Sequence, residues 1–223
     1  EDYWLNRRKD QNCDWKSGNR SVMAMIYNYN SLNAKDLDFF ETLPISQSIR
    51  FAGMEPVLAC HGTPFENQKA LLSEELFVQK CEERYIICGH THMQGFVSDG
   101  KKRIINAGAV GVPLKSPKKT QYMILTSDGK DWKPEFLSLE YDVDTVIKEI
   151  HESGLWDASP YWCRITEHLL DTGELPHGTV LNHVMKLNDY QDPWDIVSSE
   201  MLESGTAMTA RSLSESVPLI VAS

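Results

Sequence analysis

Ile86-Ile87-Cys88-Gly89-His90-Thr91-His92 is a short apolar run that stops abruptly in glycine and histidine. That pattern marks a buried strand giving way to a loop. A second stretch of the same kind, Val57-Leu58-Ala59-Cys60-His61-Gly62, lies upstream. Both place imidazoles where a strand leaves a sheet, which is where binding and catalytic groups concentrate. His90 and His92 are two residues apart, so an extended backbone points them to one side, and a turn at Gly89 can aim them at a common centre. Neutral imidazole is the commonest protein metal ligand, so three such histidines point to a metal site. The competing reading is that they are hydrogen-bonded loop residues.

The chain has 223 residues and a net charge of −10, with 41% hydrophobic residues. This is ordinary globular composition, long enough for one sizeable core with an appendage. The acidic balance argues against general nucleic-acid binding, which needs basic surface for the phosphates. The five cysteines, Cys13, Cys60, Cys81, Cys88 and Cys163, form no C-x-x-C pair. They read as reduced, mostly buried thiols of a cytoplasmic protein. No run of about 18 apolar residues suggests insertion in a membrane.

Cys88-Gly89-His90-Thr91-His92, followed by Ile105-Asn106-Ala107-Gly108-Ala109-Val110-Gly111 and preceded by Cys60-His61-Gly62-Thr63-Pro64, resembles the calcineurin-like metallophosphoesterase superfamily. The likeness is closest to its small bacterial phosphodiesterase and phosphatase branch, and it runs from about Asn12 to near Leu187. Asp10-Gln11-Asn12-Cys13-Asp14 resembles the family's G-N-[HC]-D element, with Gln11 in place of glycine. The resemblance implies metal ligation by Asn12, His61, His90 and His92. Cys13 stands where a leaving-group-protonating histidine often occurs, so the catalytic acid is unassigned. Gly18-Asn19-Arg20-Ser21 is a rival match, but Asn19 lacks the following aspartate that Asp14 supplies.

The family's opening D-x-H and G-D motifs do not occur in these residues. Two divalent cations a few ångströms apart repel, and the aspartate of the second motif bridges them. The expectation is therefore the back two thirds of a metallophosphoesterase, or a remnant of one. The implied fold is α+β: a two-sheet β-sandwich flanked by helices, with the N-terminal part of the family fold outside this chain and a helical C-terminal extension. The expected divisions are 1–140 for the metallophosphoesterase-like domain, 141–190 for the extension and 191–223 for a Ser-, Thr- and Glu-rich flexible tail.

The activity so implied is hydrolysis of a phosphomonoester or phosphodiester by a hydroxide held between two ions, with manganese, iron, nickel or zinc preferred by the imidazoles. The partner is then a small phosphate ester. Two other readings stand beside it: an inactive phosphoesterase-like scaffold that binds a protein partner, and a single structural zinc held by the three histidines and a cysteine such as Cys13.

The remaining pattern predicts a helix over 31–41 capped by Ser31 or Asn33, with Leu37, Phe40 and Leu43 buried. Strands are predicted at 45–51 and 54–60 around a turn at Gly53, and a helix over 68–83. Short strands follow at 94–97, 103–106, 121–126 and 134–139, with hairpin turns at Asp99-Gly100 and Asp128-Gly129. Val143, Val146, Ile147 and Ile150 recur at helical spacing, and further helices are predicted over 162–170 and 179–187. His151, His168, His177 and His183 are assigned to these helices and their turns. Lys115, Lys118 and Lys119 form a basic loop able to meet a phosphate, or simply a solvated one.

Overall fold

The computed structural model describes residues 23–67 and 81–174. Two compact units divide them, one built from residues up to Leu43 with 143–168, the other from 44–142 with 169–174.

The second unit holds the sheets. Strands β1 (Ser46–Ile49), β2 (Val57–Cys60), β3 (Tyr85–Cys88), β4 (Gly95–Ser98) and β5 (Arg103–Asn106) make one sheet in the order β1-β2-β3-β5-β4. The three inner strands run parallel, with Leu58 beside Ile86 and Ile86 beside Ile104, while β1 and β4 close the edges antiparallel. Parallel strands are covered on both faces, so they read as unbroken apolar runs. Leu58, Ile86, Cys88 and Ile104 cluster on one face, with Cys60 and Cys81 against them. Val57, Tyr85 and Ile105 face the other way.

That second face meets the hairpin of β6 (Lys119–Ser127) and β7 (Trp132–Glu140). Trp132, Met123, Leu125 and Phe136 pack on Val57, Tyr85 and Ile105, so two sheets share one core, as the α+β sandwich expectation requires. Both hairpin turns form where X-Gly predicted them. Asp99 and Asp128 carboxylates each accept two backbone N–H bonds across the turn, and Gly100 and Gly129 take positive φ. Gly53 does the same between β1 and β2.

The first unit is helical. α1 (Met23–Ser31) was not expected from its sequence, and α2 (Ala34–Thr42) follows it. Asn33 caps α2 in a full capping box, its side chain accepting from the N–H groups of Lys35 and Asp36 while Asp36 accepts from the Asn33 N–H. This satisfies donors that a helix start leaves orphaned. Leu37 is buried as expected, but Leu43 is 43% exposed. The chain turns extended at Leu43, the helix's C-cap, which takes it off the apolar stripe.

α3 (Val143–Glu152) ends before Gly154, whose φ is +85°. A short α4 (Leu155–Ala158) intervenes, and α5 (Pro160–Thr172) starts two residues earlier than its apolar pattern suggests, with proline at the first helical position. Proline suits that position because its missing N–H has no partner there anyway. His151 pairs with Glu167 at 2.7 Å and stacks on Trp156 with ring centroids 4.0 Å apart. It is thus a helix-packing residue, as expected. Most of the helix expected over 68–83, the one over 179–187, and the 191–223 tail fall outside the described residues.

Candidate metal centre

β2 and β3 are parallel neighbours, so they deliver His61 and His90 to the same end of the sheet. The Gly89 N–H donates to the His61 carbonyl at 2.8 Å, tying the two loops just past the last strand pair. The rings meet edge-on, centroids 5.5 Å apart and planes at 81°. A Cβ on Gly89 would lie 3.6 Å from the His61 carbonyl oxygen and 3.7 Å from its Nδ1, which is ordinary contact.

His90 and His92 both hold left-handed backbone, with φ of 64° and 58°. That region is uncommon for any residue but glycine and costs about 1–2 kcal/mol. Strain of this kind survives where surrounding bonds over-determine it. Asn106 supplies them. Its Nδ2 donates to the Gly89 carbonyl at 2.6 Å and to Thr91 Oγ1 at 2.9 Å, while its Oδ1 accepts from the Gly108 N–H at 2.9 Å. One side chain therefore stitches the histidine loop to the glycine turn.

Gly108 has φ of 85°, and a Cβ there would come within 2.3 Å of Gln121 Oε1. Only glycine fits that close approach. Thr63, buried after His61, accepts from the N–H groups of Phe65 and Glu66, which stiffens the other loop.

His92 is half-buried. Desolvation holds its imidazole below the usual range, opposed by a ring hydrogen bond to the Val112 backbone and assisted by the neighbouring His61 and His90. A neutral imidazole that donates one ring N–H to a carbonyl keeps the other nitrogen's lone pair, the arrangement metal-ligating histidines adopt. An imidazole of that kind can give its lone pair to a cation that accepts nitrogen ligands. Among the described residues no group of three or more His, Cys, Asp or Glu side chains closes into a metal cluster. Asn12 and Cys13 lie outside the described residues.

Residues 12–130, more than half of the chain, match the calcineurin-like phosphoesterase superfamily domain. The chain belongs to that superfamily. An uncharacterised protein of Methanocaldococcus jannaschii is 26% identical over 161 residues, which are 63% of this chain and 62% of that protein. The fold is similar to that of a hypothetical protein from Pyrococcus horikoshii, with a TM-score of 0.55 and 16% identity over 67% of this chain and 59% of that one. It is also similar to a metallophosphoesterase from Sphaerobacter thermophilus, with a TM-score of 0.51 and 19% identity over 66% and 64%. The chain therefore spans about three fifths of the length of each of these relatives.

Within this superfamily member the structure brings His61 and His90 into ring contact, with His92 in electrostatic reach. The two cysteines that precede the histidines sit with the apolar cluster of Leu58, Ile86 and Ile104, and the Cys60 thiol donates to the Gly62 and Ile87 carbonyls at 3.5 and 3.7 Å. Burial, then the neighbouring Cys81, pushes the Cys60 thiol up to about 11, and burial, then Cys60, pushes Cys88 up to about 12. Burial thus favours the neutral thiol at both positions.

The basic loop is largely neutralised: Lys118 pairs with Asp171 at 3.0 Å and Lys119 with Glu140 at 3.5 Å. Sequence reading assigned Asn106 to the family turn but not to its clamping task. It also missed the group at the opposite end of β3, where Tyr85 Oη and Arg84 both donate to Asp131. Neither carries a local signal, since both depend on which strands become neighbours.

Proposed function

We propose that this chain carries a metal-dependent phosphoesterase site, with Asn12, His61, His90 and His92 as ligands and a phosphomonoester or phosphodiester as substrate. The observation that carries the reading is the edge-on pairing of His61 and His90 at adjacent parallel strand ends, in a chain of this superfamily. Divalent cations bound there, manganese, iron, nickel or zinc, would polarise the phosphoryl oxygens and acidify a coordinated water.

The chain's own residues do the positioning. The Gly89 N–H bond to His61 sets the spacing of the imidazoles. The Val112 backbone fixes the His92 ring. Asn106 holds the His90–His92 loop in its left-handed course, so the donors need little reorganisation when the cations arrive. Val110, in the glycine turn, and Phe65, in the loop that follows His61, are both exposed.

The test uses the full chain loaded with Mn²⁺, assayed on p-nitrophenyl phosphate and bis-p-nitrophenyl phosphate. Chelation is expected to abolish hydrolysis and Mn²⁺ to restore it. His90→Ala should lower kcat/KM by at least about a hundredfold, the scale on which metal-site losses act. Unchanged turnover in His90→Ala removes the site from the reaction.

A further inference from the structure

A small cavity of about 150 Å³ opens at the sheet edge, lined by Phe96, Ser98, Arg103, Ile105 and Pro134. It is built by register. Phe96 pairs with Ile105 and Ser98 with Arg103 across the β4–β5 ladder, so these four side chains, at alternate positions, share one face of the hairpin. Pro134 on β7 closes the space from the second sheet. Arg103 opens β5 and Asn106 ends it. The cavity therefore runs along β5 from Arg103 to Ile105, with its charged residue at the end of the strand away from the histidines.

Its walls are apolar except for one charge. The Ser98 hydroxyl is occupied, donating to the Lys102 carbonyl at 3.1 Å and accepting from the Gly100 N–H. Arg103 is different. Its guanidinium makes one long hydrogen bond, 3.4 Å to the Trp132 carbonyl, and lies over the Tyr85 ring with its carbon 5.7 Å from the centroid. The nearby carboxylate, Asp131, is already held by Arg84 at 3.0 Å and by the Tyr85 hydroxyl at 2.7 Å. Among the described residues, most of the guanidinium N–H donors thus have no protein acceptor, while Phe96 beside them is 40% exposed.

We propose that this cavity is a binding site for a small apolar carboxylate, an aromatic or branched-chain acid whose carboxyl group takes the Arg103 fork and whose body packs on Phe96, Ile105 and Pro134. The size fits one six-membered ring, since an apolar cavity of about this volume admits benzene. The charge fits as well. A single arginine neutralises a monoanion and matches a planar carboxylate bidentately, whereas a phosphate dianion calls for more positive charge than one guanidinium supplies. The site is independent of the metal centre and of the activity proposed for it.

The experiment is calorimetric titration of the full chain with benzoate, and with benzamide as the neutral molecule of the same shape. Saturable benzoate binding in the millimolar range or tighter is expected, with benzamide at least about tenfold weaker, the loss of one charge-assisted pair. Arg103→Gln should weaken benzoate by a similar factor. Arg103 also packs on Tyr85, so Ser98→Phe, a substitution at an exposed edge position that fills the cavity, is the second arm and should abolish binding. Equal affinity for benzamide, unchanged binding in Ser98→Phe, or no saturable binding at all would overturn the proposal.

Discussion

The two ends of the parallel strands are made differently. At the carboxyl end, β2 and β3 run out into His61, His90 and His92, with positive φ at His90 and His92 and the His61 and His90 rings meeting edge-on. Lys115 and Lys118, the other non-glycine residues of positive φ among those described, flank the same loops, and the Leu114 N–H reaches the His92 carbonyl at 3.0 Å. At the amino end no described residue but glycine has positive φ, and polar groups are paired: Asp131 with Arg84 and Tyr85, and the Trp132 indole N–H with the Glu55 carbonyl at 2.8 Å. One end stores strain and lone pairs. The other spends its polar groups on holding the two sheets together, so stability and function should separate along the length of a single strand, β3.

Tyr85 makes the sharpest break in that comparison. It is fully buried in the cluster between the sheets, so Tyr85→Ala removes a large aromatic from a packed core. The expected loss is about 3–5 kcal/mol of unfolding free energy, measured by urea denaturation, and near-native stability of this variant would show that the amino end is not the structural one. His90→Gly should do the opposite. Glycine relieves left-handed strain of about 1–2 kcal/mol and loses about 0.5–1 kcal/mol through the freer unfolded chain. Its denaturation midpoint is therefore expected within about 1 kcal/mol of the parent, while phosphate-ester hydrolysis is lost. A large drop in stability would mean that the His90 side chain, not its ligand chemistry, is what the loop needs.

This division explains what the sequence could and could not disclose. The histidine end was legible because its signal is local: an apolar run, then glycine, then histidine, within seven residues. The hairpin turns were legible for the same reason, each X-Gly pair setting its own φ. α1 was not, because Met23-Ala24-Met25-Ile26-Tyr27 offers neither a cap nor a clear apolar period. Leu43 misled because the helix stops one residue before it. The Asn106 clamp, the Asp131 group and the Arg103 cavity exist only once β3, β5 and β7 are brought side by side. No spacing along the chain encodes that neighbourhood.

The smallest expected effect tests the amino end through pH. The Tyr85 hydroxyl bond, with the nearby Arg84 and Arg103, holds the Asp131 carboxyl below its usual value in the folded chain. A carboxylate whose folded pKa is depressed stabilises the protein above its unfolded value, about 3.9, and that contribution fades as pH falls through the folded pKa. Asp131 should therefore add nothing to the pH dependence between pH 5 and pH 8, written as approximate bounds of its flat region, and should steepen the loss of stability below about pH 4. Asp131→Asn keeps an acceptor for Tyr85 but does not titrate. Its acid unfolding is expected to be shallower than the parent's, with a lower plateau at neutral pH, in parallel urea melts. Because Asp131 is solvent-facing, the difference should shrink in high salt. A difference that persisted in salt would instead assign the stabilisation to the stronger bond that Tyr85 makes to a charged acceptor, rather than to attraction between Asp131 and the two arginines.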